Sequence, residues 1–198
     1  MLDIVFALSA RALKSDDNFM KMKSVMTDIL GIYGSSTVRY SVIKFGKDPE
    51  VELNFGDESN PEELREIFQG ITKNDDGADL GRALRKAREL FQVAAVSRPA
   101  AKRILVVAMD KMSDSDEITV SVAARLLQHD GIRVIAVTFG KEADPQEMTS
   151  ATLNVNNVIE TNDTASTEEI AAEVMEKATN GKNTHCIETC TLCVKMKL

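Results

Sequence analysis

The sequence predicts an α/β fold: a mostly parallel sheet with helices on both faces and one antiparallel edge hairpin. Three observations carry that reading. Strand-like and helix-like segments alternate from one end of the chain to the other, the order that yields a parallel sheet wrapped by helices. Residues 2–8 and 104–109 are almost continuously apolar, as strands buried on both faces must be. Residues 38–45 and 51–55 are split only by Gly46-Lys47-Asp48-Pro49; that is too little chain for a crossover, so the pair is antiparallel.

After the first strand and a polar loop, Phe19, Met22, Met26 and Ile29 recur at steps of three and four, predicting a helix over 18–31 with Gly31 as its stop. Beyond the hairpin, Asn60-Pro61-Glu62-Glu63 opens a second helix with a capping side chain, proline at the first helical position and glutamate at the third. Leu80, Ala83, Leu84, Ala87, Leu90 and Phe91 form the inward stripe of a third. Past the 104–109 strand, Val120, Ala123, Leu126 and Leu127 line a helix that ends before Gly131, and 133–138 is the next strand. Asp144-Pro145-Gln146-Glu147 repeats the capping device, and 158–160 is a short last strand. Ser166-Thr167-Glu168-Glu169 caps the final helix, lined by Ile170, Val174, Met175 and Ala178. The result is a doubly wound, Rossmann-like sheet, whose loops at the carboxyl ends of the strands are where such folds carry their sites.

At 198 residues and 43% hydrophobic, the chain suffices for one core and is too short for two ordinary domains and a linker. The expected organisation is one domain over 1–180 and a tail, or the start of a following module, over 181–198. A net charge of -7 argues against nucleic acid or an anionic membrane as partner, since both require a basic stripe. The apolar runs are strand-sized, so no membrane insertion is expected. No signal peptide is recognised, and an extracellular domain would then be an excised module. Cys186, Cys190 and Cys193 with His185 crowd the tail. Their spacing is open to a Cys3His zinc site, a cysteine-bearing linker or a truncated disulfide module.

Enzyme chemistry has little raw material here. No glycine lies between Ser9 and Ser15, which excludes a phosphate loop or dinucleotide fingerprint after the first strand, and no G-x-S-x-G elbow occurs. His129 and His185 are the only histidines, one at a predicted helix end and one in the tail, so a His-centred triad is not expected. Neither a catalytic residue nor a cofactor is assigned.

The residues 3–19 (Asp3-Ile4-Val5-Phe6 through Asn18-Phe19) resemble the opening of von Willebrand factor A domains, a strand followed by D-x-S-x-S and often Asn-Phe. Residues 38–46, Gly77-Ala78-Asp79-Leu80-Gly81-Arg82-Ala83-Leu84, Arg103 to Asp114 and Gly131-Ile132-Arg133-Val134-Ile135-Ala136-Val137 resemble further segments of that family, in order. The likeness covers roughly residues 2–179 and is nearest to the matrix members, the type VI collagen and matrilin modules. In cation-binding relatives, a metal ion-dependent adhesion site draws oxygen ligands from five positions, which fall here on Ser9, Arg11, Leu13, Ala78 and Asp110. Only Asp110 keeps its chemistry, so the resemblance implies a degenerate site with no metal, because hard cations need oxygen donors. Asp16, Asp17, Asp75, Asp76 and Asp79 lie on the same edge and are the available rescuers. Arg11 invites the idea that its cation stands in the metal's place and pairs with Asp110; the alternative is that it points to water.

The expected function is therefore a non-enzymatic interaction or adhesion module of an extracellular matrix-type protein, working without a divalent cation through Ser9, Arg11, Asp79 and Asp110. Its partner would be a protein of matrix or adhesion type, and the domain would be part of a larger multidomain chain. An intracellular scaffold in a protein complex and a metal-dependent domain with displaced ligands are the alternatives. Asn162-Asp163-Thr164 reads either as a glycosylation acceptor or as a chance triplet.

Overall fold

A computed structural model describes residues 1–11, 17–73, 77–162 and 164–179; the cysteine-bearing tail lies outside them. The elements run β1 (Leu2–Ser9), α1 (Asp17–Tyr33), β2 (Val38–Phe45), β3 (Pro49–Leu53), α2 (Pro61–Gly70), α3 (Leu80–Ser97), β4 (Lys102–Lys111), α4 (Glu117–His129), β5 (Ile132–Glu142), α5 (Pro145–Thr152), β6 (Val158–Glu160) and α6 (Thr167–Thr179). Six strands form one sheet in the order β3-β2-β1-β4-β5-β6. Every neighbouring pair is parallel except β2 and β3. This is the doubly wound sheet with one antiparallel edge that the strand spacing predicted.

The unbroken apolarity of β1 has a simple cause: it feeds two cores at once. Leu2, Ile4, Phe6 and Leu8 pack with residues of α1, α2 and α6, such as Met26, Phe68 and Val174. Val5 and Ala7 pack with residues of α3, α4 and α5, such as Leu84, Leu127 and Met148. In the first core Phe6, Tyr40 and Phe68 form an aromatic trio with centroids 5.9–6.2 Å apart, a separation at which ring quadrupoles attract.

Three local expectations are corrected. Helix α1 runs through Gly31 and stops at Gly34, which takes the left-handed φ of +62° and donates its N–H to Leu30 O at 2.7 Å. Packing of Ile29 and Leu30 into the core outweighs the small helix cost of an internal glycine. Strand β3 runs Pro49–Leu53, starting two residues before and ending two residues short of the expected 51–55, which leaves Phe55 past its end. Leu126 stays 39% exposed on α4 while Ala123, Ala124 and Leu127 face inward.

Two buried charges are held by geometry that local sequence does not reveal. Asp3 is fully buried, with Arg39 at 2.8 and 3.0 Å and Arg98 at 2.9 Å. Lys23 on α1 reaches across to the end of α2 and donates to Gln69 O at 2.7 Å and Ile71 O at 3.0 Å. It thereby satisfies carbonyls that a helix terminus leaves without partners.

Candidate functional site

The parallel register aligns the ends of β1 and β4, with Leu8 opposite Ala108. Ser9 and Asp110 therefore close adjoining strands at the carboxyl edge. Ser9 is buried there, and Asp110 is only 5% exposed. Burial pushes the Asp110 carboxyl up from its ordinary range, an effect its own backbone N–H and the charge of Lys73 only partly offset. Among the described residues Asp110 forms no ion pair.

The idea that Arg11 pairs with Asp110 is corrected. The guanidinium Nη1 donates instead to Asp114 Oδ1 at 3.2 Å, in the loop between β4 and α4. The other oxygen of Asp114 accepts the Ala78 N–H at 2.8 Å, and Asp114 N–H returns a bond to Ala78 O at 2.7 Å. One carboxylate thus joins three loops: the one after β1, the one before α3 and the one after β4. Gly77 makes this approach feasible, because a methyl group at that position would run into the Asp114 carboxylate.

Asp79, a binding candidate by sequence, has structural duties. It caps α3, its Oδ1 accepting Arg82 N–H at 2.9 Å and Ser115 Oγ–H at 2.7 Å. Ser115 Oγ in turn accepts Gly81 N–H at 2.9 Å. Gly81 is also needed for space, since a Cβ there would stand 2.6 Å from Thr119 Cγ2. Sequence reasoning missed Ser113 and Glu147. Glu147 accepts Ser113 N–H at 3.0 Å and also the Ser113 hydroxyl. This fixes the β4–α4 loop to α5. In the T-D-G-x-S-x-D likeness Ser113 falls on the serine and Asp114 on an unspecified position, so the motif gave no signal for Asp114, and nothing near Glu147 in sequence pointed to Ser113.

Of the five positions onto which the family resemblance places an adhesion site, four are described: Ser9, Arg11, Ala78 and Asp110. Leu13 lies outside the described residues, as do Asp16, Asp75 and Asp76. Among the described residues no three His, Cys, Asp or Glu side chains converge as a metal-ligating group. What the edge offers is a half-exposed arginine–aspartate pair, a buried carboxylate and a frame of backbone-anchoring bonds.

An open, mostly parallel sheet covered by helices, with polar loops gathered at its carboxyl edge, defines a doubly wound α/β domain. The chain belongs to the von Willebrand factor type A domain family, whose model matches residues 3–173. It is 28% identical over 155 residues to the collagen alpha-6(VI) chain of Mus musculus, an alignment covering 76% of this chain and 7% of that one. The chain thus spans a small fraction of that relative's length. Its fold is similar to that of proximal thread matrix protein 1 from the mussel byssus, with TM-score 0.76, 18% identity, and coverage of 89% of this chain and 46% of the other. It is also similar to the manganese-loaded TRAP protein of Plasmodium vivax, with TM-score 0.72, 13% identity, and coverage of 87% and 71%. At these identities the structural likeness speaks to fold alone. Von Willebrand factor A domains are generally non-enzymatic protein-interaction and adhesion modules.

Proposed function

We propose that this domain is a protein-docking module of an extracellular matrix-type protein and that it engages its partner at the carboxyl edge of the sheet without a divalent cation. The observation that carries the reading is the Arg11–Asp114 pair, tied to the Ala78 backbone. A fixed guanidinium occupies a position where the family's cation-binding members present a hydroxyl, and a methyl replaces another oxygen donor at Ala78. The remaining donors at the described positions are the Ser9 hydroxyl and the Asp110 carboxylate. Such a set does not fit an octahedral ion that requires oxygen ligands and tolerates no adjacent cation.

The mussel-thread protein has a solved form with zinc in its metal ion-dependent site, and the Plasmodium protein is manganese-loaded; the exchange of ligands at Arg11 and Ala78 sets this chain apart from that chemistry. Partner choice then rests on shape and on direct polar contacts from Arg11 and the surrounding loops. The matrix placement is supported by the collagen alpha-6(VI) likeness.

Calorimetric titration of the full chain with Mg2+ and Mn2+, with melting temperature followed in parallel, tests the reading. The expected result is no heat of binding and no thermal shift. A metal-dependent rise in melting temperature would overturn it and favour displaced ligands among the loop carboxylates.

A further inference from the structure

Asn162 stands where the chain leaves the edge strand β6, just after Thr161 makes the last sheet-like bonds to Thr138 O at 2.7 and 3.1 Å. It is exposed, as are Thr164 and Ser166 that follow it. Its carboxamide oxygen is fully occupied: it accepts Thr164 N–H at 3.1 Å, Thr164 Oγ–H at 2.9 Å and Ala165 N–H at 2.7 Å. Among the described residues nothing accepts a hydrogen bond from Nδ2. The side chain thus builds the turn into α6 with its oxygen and leaves its nitrogen to solvent. Asn162-Asp163-Thr164 is also the only Asn-x-Ser/Thr triplet in the chain.

We propose that Asn162 carries an N-linked glycan when the chain passes through the secretory pathway. The donor is an oligosaccharide on a lipid diphosphate. Asn162 Nδ2 bonds to the anomeric carbon of its first sugar, and the carbon–oxygen bond to the diphosphate breaks with the electron pair leaving on the lipid. The amide gives up one proton to a base of the transferring enzyme. The primary amide becomes a secondary amide whose Oδ1 is unchanged, so all three turn-forming bonds survive and the folded domain accommodates the sugar without rearrangement. Since β6 lies two strands beyond β4, roughly 10 Å at ordinary strand spacing, the glycan shares the carboxyl edge with the proposed docking loops. It screens their β5–β6 flank, leaving approach open from the β1–β2 side.

The inference rests on the extracellular placement proposed above and not on cation-free docking. The full chain is translated behind a cleavable secretory leader with microsomes, and the protease-protected product is weighed before and after peptide N-glycosidase. The wild type is expected to carry one glycan, removed by the enzyme, retained in Thr164→Ser and absent in Asn162→Gln and Thr164→Ala. A protected wild-type chain at its unmodified mass would overturn the assignment. Because the leader forces delivery, that failure is distinct from an error about where the native chain resides, and the metal titration is independent of both.

Discussion

Arg11 and Asp114 are 103 residues apart in the chain and 3.2 Å apart in the fold. Their side chains are 27% and 52% exposed, so solvent screens the attraction and the pair contributes little by itself. A double-mutant cycle through Arg11→Ala and Asp114→Ala is expected to give a coupling of about 0.2–1 kcal/mol. Asp114→Ala is expected to cost more than Arg11→Ala, by about 1 kcal/mol, because it also strands the Ala78 N–H. Equal losses from the two single variants in urea melts would contradict this arrangement.

Gly77→Ala tests the close approach directly. The new methyl displaces the Asp114 carboxylate from both its partners, so the expected loss is about 1–3 kcal/mol. In an Asp114→Ala background the obstacle is gone and the same substitution is expected to be nearly free. Additive losses would mean that the glycine serves some other purpose.

Glu147 is the bolt between α5 and the β4–α4 loop. Glu147→Ala removes a charged acceptor from Ser113 N–H and Oγ–H and is expected to cost about 1.5–3 kcal/mol. The α5 start keeps its cap, since Asp144 Oδ1 accepts Gln146 N–H at 2.9 Å. Hydrogen exchange should therefore quicken at residues 113–116 and stay unchanged at 146–148; the reverse pattern would assign Glu147 to the cap.

The raised pKa of Asp110, caused chiefly by burial, gives a pH signature of known sign. The folded chain holds this proton more tightly than the unfolded chain does. Its stabilising contribution is present below the ordinary aspartate value of about 4 and is lost as pH rises through the folded value. Asp110→Asn removes that loss. The variant is expected to melt higher than wild type at neutral pH, with the two curves converging near pH 4. Asp116 and Asp130, whose pKa values are lowered by Thr119 and Arg88 respectively, contribute equally to both proteins and cancel in the difference. A gap that widens toward acid would refute the assignment.

At the opposite edge, Arg39→Met leaves the fully buried Asp3 with Arg98 as its remaining partner. Removing one member of a buried ion arrangement costs about 3–5 kcal/mol, and the low end is expected here because Arg98 stays. Chemical denaturation measures it. A loss below about 1 kcal/mol would show that Arg98 alone suffices.

Much of the fold was legible because it follows from short-range pattern. Apolar continuity in β1 and β4 announced strands buried on both faces, and the Gly46–Pro49 break announced the hairpin. The cap at Ser166 is reciprocal as read, with Glu169 N–H on Ser166 Oγ at 3.2 Å and Ser166 N–H on Glu169 Oε2 at 3.1 Å. The two look-alike boxes are not. At Asn60 the backbone N–H goes to Glu58 at 2.5 Å, and Glu63 accepts from the Asn60 side chain at 3.3 Å instead of from that N–H. At Asp144 the glutamate of the box leaves to hold Ser113.

By itself, then, the sequence determined the layered sheet and the order of its elements, because both are written in periodicities a few residues long. Only the tertiary structure decided which acid Arg11 meets, what Asp79 and Glu147 are occupied with, and that Asp110 is buried with no ion pair among the described residues. Those outcomes depend on which loops the parallel register brings side by side. Charged side chains choose among partners a hundred residues away by distance and burial, and no local pattern records either.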